Sequence, residues 1–129
     1  MSTSSRRSDA LPGRKVLLVE DDYFMADEMR QSLSRSGVEV LGPVASVDRA
    51  LTLIEANAEI DAAVLDVNLR DVMVFPVADA LATRGVPFIF ATGYEGTVIP
   101  QRYAHIQRCE KPVETDTLAR VLAAEISRH

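Results

Sequence analysis

Residues 16–22, Val-Leu-Leu-Val-Glu-Asp-Asp, join a short apolar run directly to three acidic residues. Four aliphatic residues suit a strand that is buried on both faces and are too few to indicate a helix. The pattern returns in residues 62–66, which end at an aspartate, in residues 86–92, which end at a threonine, and in residues 106–112, where Glu-Lys-Pro follows the run. One charge after one strand commonly marks only the return to solvent. Four such strand ends indicate one site at one edge of a sheet.

Amphipathic helical patterns alternate with these strands. Apolar side chains recur at helical spacing in residues 25–33, 47–54, 77–82 and 118–126, and residues 38–41 add a short strand that Gly-Pro closes. Residues 93–105 contain two glycines and a proline, which predict a fourth helix that is short or irregular. Alternating β and α units predict an α/β fold with a parallel sheet covered by helices on both faces, and a ligand site at the carboxyl ends of its strands.

Length and composition narrow the class of protein. The 129 residues suit one domain, with residues 14–129 folded and the Ser-rich residues 1–13 predicted as a disordered tail. The formal charge of -5 and the absence of a basic run argue against a nucleic-acid surface. No apolar stretch reaches the roughly 18 residues of a membrane span. Cys109 is the single cysteine, so no internal disulfide forms, and we expect a cytoplasmic protein.

The residues at the strand ends suit phosphoryl chemistry. Converging carboxylates repel one another, so one takes up a proton unless a cation lies between them. Oxygen ligands suit Mg²⁺, which accepts one or two carboxylates together with phosphate oxygens. Lys111 adds a compact positive charge and Thr92 a hydroxyl donor, both of which can hold phosphoryl oxygens. A carboxylate on the central strand then serves as a nucleophile toward a phosphoryl group.

With these motifs together, the chain resembles the receiver domains of bacterial two-component response regulators. The resemblance runs from about residue 14 to residue 128 and rests on Leu-Val-Glu-Asp-Asp at 18–22, Val-Leu-Asp-Val-Asn-Leu at 64–69, Ala-Thr-Gly at 91–93 and Lys-Pro at 111–112. It implies a single doubly wound (βα)5 domain of the flavodoxin-like class, with a five-stranded parallel sheet in the order 2-1-3-4-5. It also implies a signalling role without enzyme activity beyond self-phosphorylation and self-dephosphorylation.

The same resemblance implies a set of site residues. Asp66 would accept the phosphoryl group from a sensor histidine kinase or a phosphotransfer protein. Asp22, Asp66 and the backbone carbonyl of Asn68 would bind Mg²⁺ directly, while Asp21 would contact it through water. Thr92 and Lys111 would bind phosphoryl oxygens, and the peptide before Pro112 is expected to be cis.

Two features depart from ordinary receivers. Residues 90–94, Phe-Ala-Thr-Gly-Tyr, resemble the FATGUY motif of single-domain receivers but lack the hydrophobic residue before the tyrosine. Arg108 occupies the position three residues before the lysine, where an aromatic switch residue is usual. The switch is therefore predicted to run through residues 92–105, with Tyr94 or Arg108 in the aromatic role. Arg108, on the last strand, would pair with an acidic residue of a partner protein.

Three functions remain open at this stage. The leading one is a single-domain response regulator that switches binding to a downstream protein, as a monomer or weak dimer; the end of the chain after its last helix fits the lack of an output domain. The second is a receiver-like scaffold that binds without phosphorylation. The third is an aspartyl-phosphate hydrolase, which usually needs an acid two residues after its nucleophile, where this chain has Asn68.

Overall fold

A sheet of five parallel strands lies at the centre of the protein, for which a computed structural model describes residues 10–93 and 99–129. Helices cover both of its faces, and a two-stranded hairpin follows the third strand. In chain order the elements are β1 (Lys15–Val19), α1 (Tyr23–Arg35), β2 (Glu39–Val44), α2 (Val47–Ala56), β3 (Ala62–Asp66), β4 (Asn68–Leu69), β5 (Val72–Met73), α3 (Phe75–Thr83), β6 (Phe88–Thr92), a 3-10 helix (Gln101–Tyr103), β7 (Arg108–Glu110) and α4 (Thr115–Arg128).

The strand order of the main sheet is β2-β1-β3-β6-β7, and every neighbouring pair is parallel. Because β4 and β5 pair only with each other, the five main strands follow the predicted order 2-1-3-4-5. The chain reverses its direction of winding between β1 and β3, so the carboxyl ends of these two strands flank the crevice where such sheets bind ligands. The predicted doubly wound architecture is confirmed.

The core lies in two layers, one on each face of the sheet. Alternate residues of a strand point to opposite faces, and β1 shows this with Leu17 toward α2 and α3 and Leu18 toward α1 and α4. Both leucines are fully buried, as are nearly all residues of β3 and β6. A strand buried on both faces needs apolar residues at every position, which is why these strands appear in the sequence as continuous apolar runs.

The folded domain begins earlier than the predicted boundary at residue 14. Leu11 is 1% exposed and packs in the layer of α1 and α4. The backbone N–H of Gly13 donates to the carbonyl of Gly37 at 2.8 Å, and Pro12 contacts Gly37. The prediction treated residues 1–13 as one polar segment and so missed the burial of Leu11. The predicted tail is therefore wrong for residues 10–13, and residues 1–9 lie outside the described part of the chain.

Strand β2 continues through the Gly-Pro pair that was predicted to end it at residue 41. Gly42 has a φ of +104° and the Gly42–Pro43 peptide is cis. A Cβ atom on Gly42 would lie 2.8 Å from the carbonyl oxygen of Leu18 and 2.8 Å from the nitrogen of Val44, so only glycine fits. Since β2 is an edge strand, the missing N–H of Pro43 breaks no pairing on its outer side.

The described part of the connection between β6 and β7 is irregular, as predicted. Among the described residues of this connection, the 3-10 helix Gln101–Tyr103 is the only helical turn. The two flanking strands begin two residues later than their apolar runs, at Phe88 and Arg108. The Lys111–Pro112 peptide is cis, as expected. None of the described helices has the length and apolar character needed to span a membrane.

Candidate functional site

Three carboxylates meet at the carboxyl ends of β1 and β3. Glu20 and Asp21 follow β1, and Asp66 is the last residue of β3; one oxygen atom from each lies within 4.8 Å of the others. The two strands are adjacent and in register, with Val19 opposite Leu65, so their ends must coincide. Glu20 and Asp66 are 2% and 3% exposed, while Asp21 is half-buried. The predicted convergence of strand ends into one site is present in the fold.

Lys111 joins the two buried carboxylates. Its Nζ lies 3.0 Å from Oε1 of Glu20 and 2.9 Å from Oδ2 of Asp66, and it donates to Oε2 of Glu20 at 3.1 Å. The lysine is held by its backbone as well, because its N–H donates to the carbonyl of Thr92 at 2.8 Å. The ammonium group is thus fixed against Asp66 from the neighbouring side of the sheet.

The site carries more negative than positive charge near Asp66. Burial, and secondly the charge of Glu20, raise the pKa of Asp66 to about 8, although Lys111 acts in the opposite direction. Burial alone would lower the pKa of Lys111, but its contacts with Asp66 and Glu20 outweigh burial and raise that pKa. Within the described residues, Oε1 of Glu20 and Oδ2 of Asp66 accept no well-aligned hydrogen bond, although Nζ of Lys111 lies 3.0 and 2.9 Å from them. Excess buried carboxylate oxygen of this kind fits a hard divalent cation.

Asp22, which was predicted as a direct metal ligand, is not among the three converging carboxylates. Its Oδ1 accepts a hydrogen bond from the N–H of Met25 at 2.9 Å, so it is the N-cap of α1. Its own N–H donates to Oε2 of Glu20 at 3.0 Å. Because Asp22 lines the cavity, its role as a direct Mg²⁺ ligand stays a prediction. In this structure Glu20 and Asp21 enter the cluster, while Asp22 begins the helix. The physical reason is that α1 starts at Tyr23 and the side chain before it satisfies the first free N–H groups.

A cavity of about 480 Å³ opens beside these groups. Its size accommodates a phosphoryl group together with a hydrated cation. Asp22 remains at its rim although it does not join the cluster. The lining residues are Asp21, Asp22, Met25, Asp66, Asn68, Arg70, Gly93, Lys111 and Pro112.

The remaining predicted residues lie around this cavity to differing degrees. Asn68 lines it, and its N–H donates to Oδ1 of Asp66 at 3.2 Å. Thr92 is 9% exposed and ends β6, the strand next to that of Asp66. Arg108 is exposed at the start of β7, which fits a surface contact and not a packed switch residue. Tyr94 lies outside the described residues.

A second polar cluster was not predicted from the sequence. The hydroxyl of Tyr103, in the 3-10 helix, donates to Asp79 of α3, and the guanidinium of Arg102 donates to the same carboxylate at 3.1 Å. The ring of Tyr103 is buried against Phe88 and Phe90. The cluster fixes the irregular connection to α3. Nothing in the local sequence signals it, because Asp79 and Tyr103 are 24 positions apart.

Comparison with solved structures identifies the class of protein. SdrG from Sphingomonas melonis Fr1 shares 38% identity over 88% of this chain and 96% of its own, with a TM-score of 0.78. The BeF3-activated conformation of SdrG from Pseudomonas melonis Fr1 shares 35% identity over 95% of this chain and 98% of its own, with a TM-score of 0.72. The signal receiver domain of a modulated diguanylate cyclase from Desulfovibrio desulfuricans G20 shares 28% identity over 88% and 94%, with a TM-score of 0.76. The chain matches no family model and no curated protein.

The chain therefore belongs to the receiver domains of response regulators. Within this family it is similar to SdrG along almost the whole length of both chains. The resemblance to the FATGUY type depends on Tyr94, which lies outside the described residues, and stays a prediction.

Proposed function

We propose that this receiver domain is switched by phosphorylation of Asp66 and controls the binding of a downstream protein. A sensor histidine kinase or a phosphotransfer protein would supply the phosphoryl group. The observation that carries the proposal is the position of Asp66: its buried carboxylate lies at the cavity, 2.9 Å from an ammonium group and beside two further carboxylates. The similarity to SdrG, of which a BeF3-activated conformation has been solved, supports the same conclusion.

The proposed transfer places each residue in a defined role. An oxygen of Asp66 forms the new O–P bond while the N–P bond of a phosphohistidine breaks, and the histidine nitrogen keeps the electron pair. Lys111 binds a phosphoryl oxygen and balances its charge. Without a cation, the raised pKa of Asp66, about 8, leaves much of this carboxyl protonated at neutral pH and poorly nucleophilic. Bound Mg²⁺ would supply charge neutralisation for the carboxylates and the phosphoryl oxygens.

We propose Asp21 and Asp66 as the carboxylates that hold Mg²⁺. Asp21 lies in the cluster, lines the cavity and keeps 15% of its side chain exposed, so it can reach a hydrated ion, whereas Glu20 is engaged by Lys111. In this proposal Asp22 contributes less than Asp21, because its Oδ1 accepts from the N–H of Met25 at the start of α1, although Asp22 lines the cavity. The backbone carbonyl of Asn68 remains the expected third protein ligand, since Asn68 lines the cavity.

The signal is proposed to leave the site through residues 92–105. Thr92 begins this segment at the strand next to Asp66, and Tyr103 holds its far end against Asp79 of α3. A phosphoryl group brings roughly one to two negative charges and new acceptor oxygens, which can attract the donors at the start of the segment. Exposed Arg108 on β7 would then contact an acidic side chain of the downstream partner.

Neither alternative function has a comparable observation in its favour. For the hydrolase, the position two residues after Asp66 carries Asn68, whose side-chain oxygen accepts from the N–H of Asp71 at 2.7 Å, so no acid stands there. For a scaffold that binds without phosphorylation, the convergence of Asp66, Asp21 and Lys111 would serve no purpose.

Beryllofluoride binding tests the proposed function. With Mg²⁺ present, wild-type protein should bind beryllofluoride and shift the amide resonances around Asp66, while Asp66→Asn should bind none. Asp71→Asn, on the exposed hairpin turn beside the same cavity, is the matched control and should bind like wild type. Equal binding by Asp66→Asn would show that the phosphoacceptor is elsewhere.

A further inference from the structure

The hairpin that follows Asp66 has an unusual turn. Asn68 pairs with Met73 and Leu69 with Val72, which leaves Arg70 and Asp71 as a two-residue turn. Both have positive φ, 53° and 71°, a conformation in which glycine and asparagine are usual. A residue with a Cβ atom adopts this left-handed conformation at a steric cost, because Cβ approaches the following carbonyl oxygen. Strained backbone of this kind concentrates at ligand sites, so the side chains of the turn merit a functional explanation.

Arg70 extends from this turn over the acidic cluster. Its Nε lies 3.6 Å from Oδ2 of Asp21, and it lines the same cavity as Asp66 and Lys111. The side chain of Arg70 is 84% exposed and that of Asp21 is 15% exposed. Because the guanidinium is open to solvent and the contact is long, this ion pair breaks readily when either group finds a better partner.

We infer that Arg70 is a second phosphoryl-binding residue, held on Asp21 in the resting protein and released to the phosphoryl group when a divalent cation takes up Asp21. The inference rests on the proposed function, because it requires the cation at Asp21 and the phosphoryl group on Asp66. It assigns to the hairpin turn the transfer of one cationic side chain from Asp21 to the phosphoryl group.

The charges around the cavity explain why a second cationic side chain is useful. Lys111 is already shared between Glu20 and Asp66 at 3.0 and 2.9 Å, so its charge is largely balanced before any phosphoryl group arrives. A phosphoryl group adds roughly one to two further negative charges. Among residues 10–93 and 99–129, the guanidinium of Arg70 has one weak ion pair to give up, and its planar fork matches two phosphoryl oxygens.

Electrostatics explains why cation binding at Asp21 precedes the contact of Arg70 with the phosphoryl group. A divalent cation at Asp21 removes the anionic partner of Arg70 and repels its guanidinium, so Arg70 opposes cation binding in the resting state. The phosphoryl group then attracts the released side chain. One residue therefore weakens the affinity for the cation alone and strengthens the affinity for the phosphoryl group, and an exposed turn residue without this role would do neither.

Opposite effects on two affinities test the inference. We would measure Mg²⁺ affinity by calorimetry and beryllofluoride affinity by fluorine NMR at saturating Mg²⁺, in wild type, Arg70→Gln and Arg70→Lys. Gln keeps the positive-φ cost of the turn and removes the charge. Arg70→Gln should bind Mg²⁺ about two- to fivefold more tightly, the range of an exposed ion pair. It should bind beryllofluoride about two- to tenfold more weakly, the range of one lost hydrogen bond in a solvent-exposed position.

The comparison variants separate this role from a structural one. Arg70→Lys should keep the wild-type Mg²⁺ affinity and recover part of the beryllofluoride affinity. Arg14→Gln is the control: Arg14 forms an ion pair with Asp61 at 3.8 Å, and neither residue lines the cavity. This variant should match wild type in both titrations. If Arg70→Gln leaves either affinity unchanged or weakens both, the inference is overturned while the proposed function stands. If wild type itself binds no beryllofluoride, both are overturned.

Discussion

Replacing Asp66 with asparagine is expected to stabilise the protein when no divalent cation is present. The carboxylate of Asp66 lies within 4.8 Å of oxygens of Glu20 and Asp21, and at an effective dielectric constant of about 20 each repulsion is at least about 3.5 kcal/mol. Its attraction to Lys111 at 2.9 Å is about 5.7 kcal/mol on the same scale. The repulsions exceed the attraction by roughly 1 kcal/mol, and desolvation of the buried carboxylate adds to the cost.

The sign of the pH dependence follows from the pKa of Asp66, which the fold raises from 3.8 to about 8. Below pH 3.8 both the folded and the unfolded protein carry the proton, so Asp66 costs nothing. Between that value and about 8 the unfolded chain has released the proton and the folded protein still holds it. The free energy of unfolding therefore falls as the pH rises through this window. The advantage of Asp66→Asn should grow over the same window and level off above it.

Urea denaturation at several pH values, with a chelator present, measures this effect. At pH 8.5 or so, above the raised pKa, Asp66→Asn should be about 1 kcal/mol or more stable than wild type, and near pH 4 the two should coincide. Glu59→Gln removes a carboxylate that is exposed in a loop and should change little at any pH. Adding Mg²⁺ at about one hundred times its dissociation constant should stabilise wild type by about 2.7 kcal/mol and reverse the order. A mutant that is less stable than wild type at high pH without cation would refute the reasoning.

Three further outcomes are expected. Asp21→Ala should lose Mg²⁺ affinity by calorimetry, whereas Asp22→Ala should keep most of it and lose about 1 kcal/mol of stability through the missing N-cap; the reverse ranking would restore Asp22 as the ligand. Tyr103→Phe should lower the free energy of unfolding by about 0.5–1.5 kcal/mol, because its hydroxyl donates to Asp79 and is the main cause of the lowered pKa of that carboxyl; an unchanged urea midpoint would contradict this contact. Leu11→Ala should cost about 2–5 kcal/mol in the same assay, and no cost would return residues 10–13 to the tail.

Continuous apolar runs made the sheet predictable. A strand of a parallel sheet covered on both faces must be apolar at every position, so β1, β3 and β6 stand out in the sequence, and helices of 3.6-residue period separate them. The polar residue at the end of each run then marks the carboxyl edge. Boundaries were less certain, because Gly42 and Pro43 normally end a strand, yet at the edge of a sheet a positive φ and a missing N–H are tolerated.

The composition of the site was predictable, but the arrangement of the three acids after β1 was not. Asp66 and Lys111 follow their strands directly, and the fold brings them to 2.9 Å. Three consecutive acids after β1 give no local signal of which one turns toward the cavity. That depends on where α1 begins, since the residue before its first turn is drawn to the free N–H groups of the helix, and here that residue is Asp22.

By itself, the sequence determined the class of fold, the edge of the sheet that carries the site and the nucleophile that we propose, because each depends on short-range pattern. The tertiary structure alone decided that Leu11 belongs to the core, that Arg70 lies over Asp21, and that Tyr103 donates a hydrogen bond to Asp79. Each of these contacts joins residues that are distant in the chain. Their energies arise from burial and charge in the folded state, so local residue preferences do not predict them.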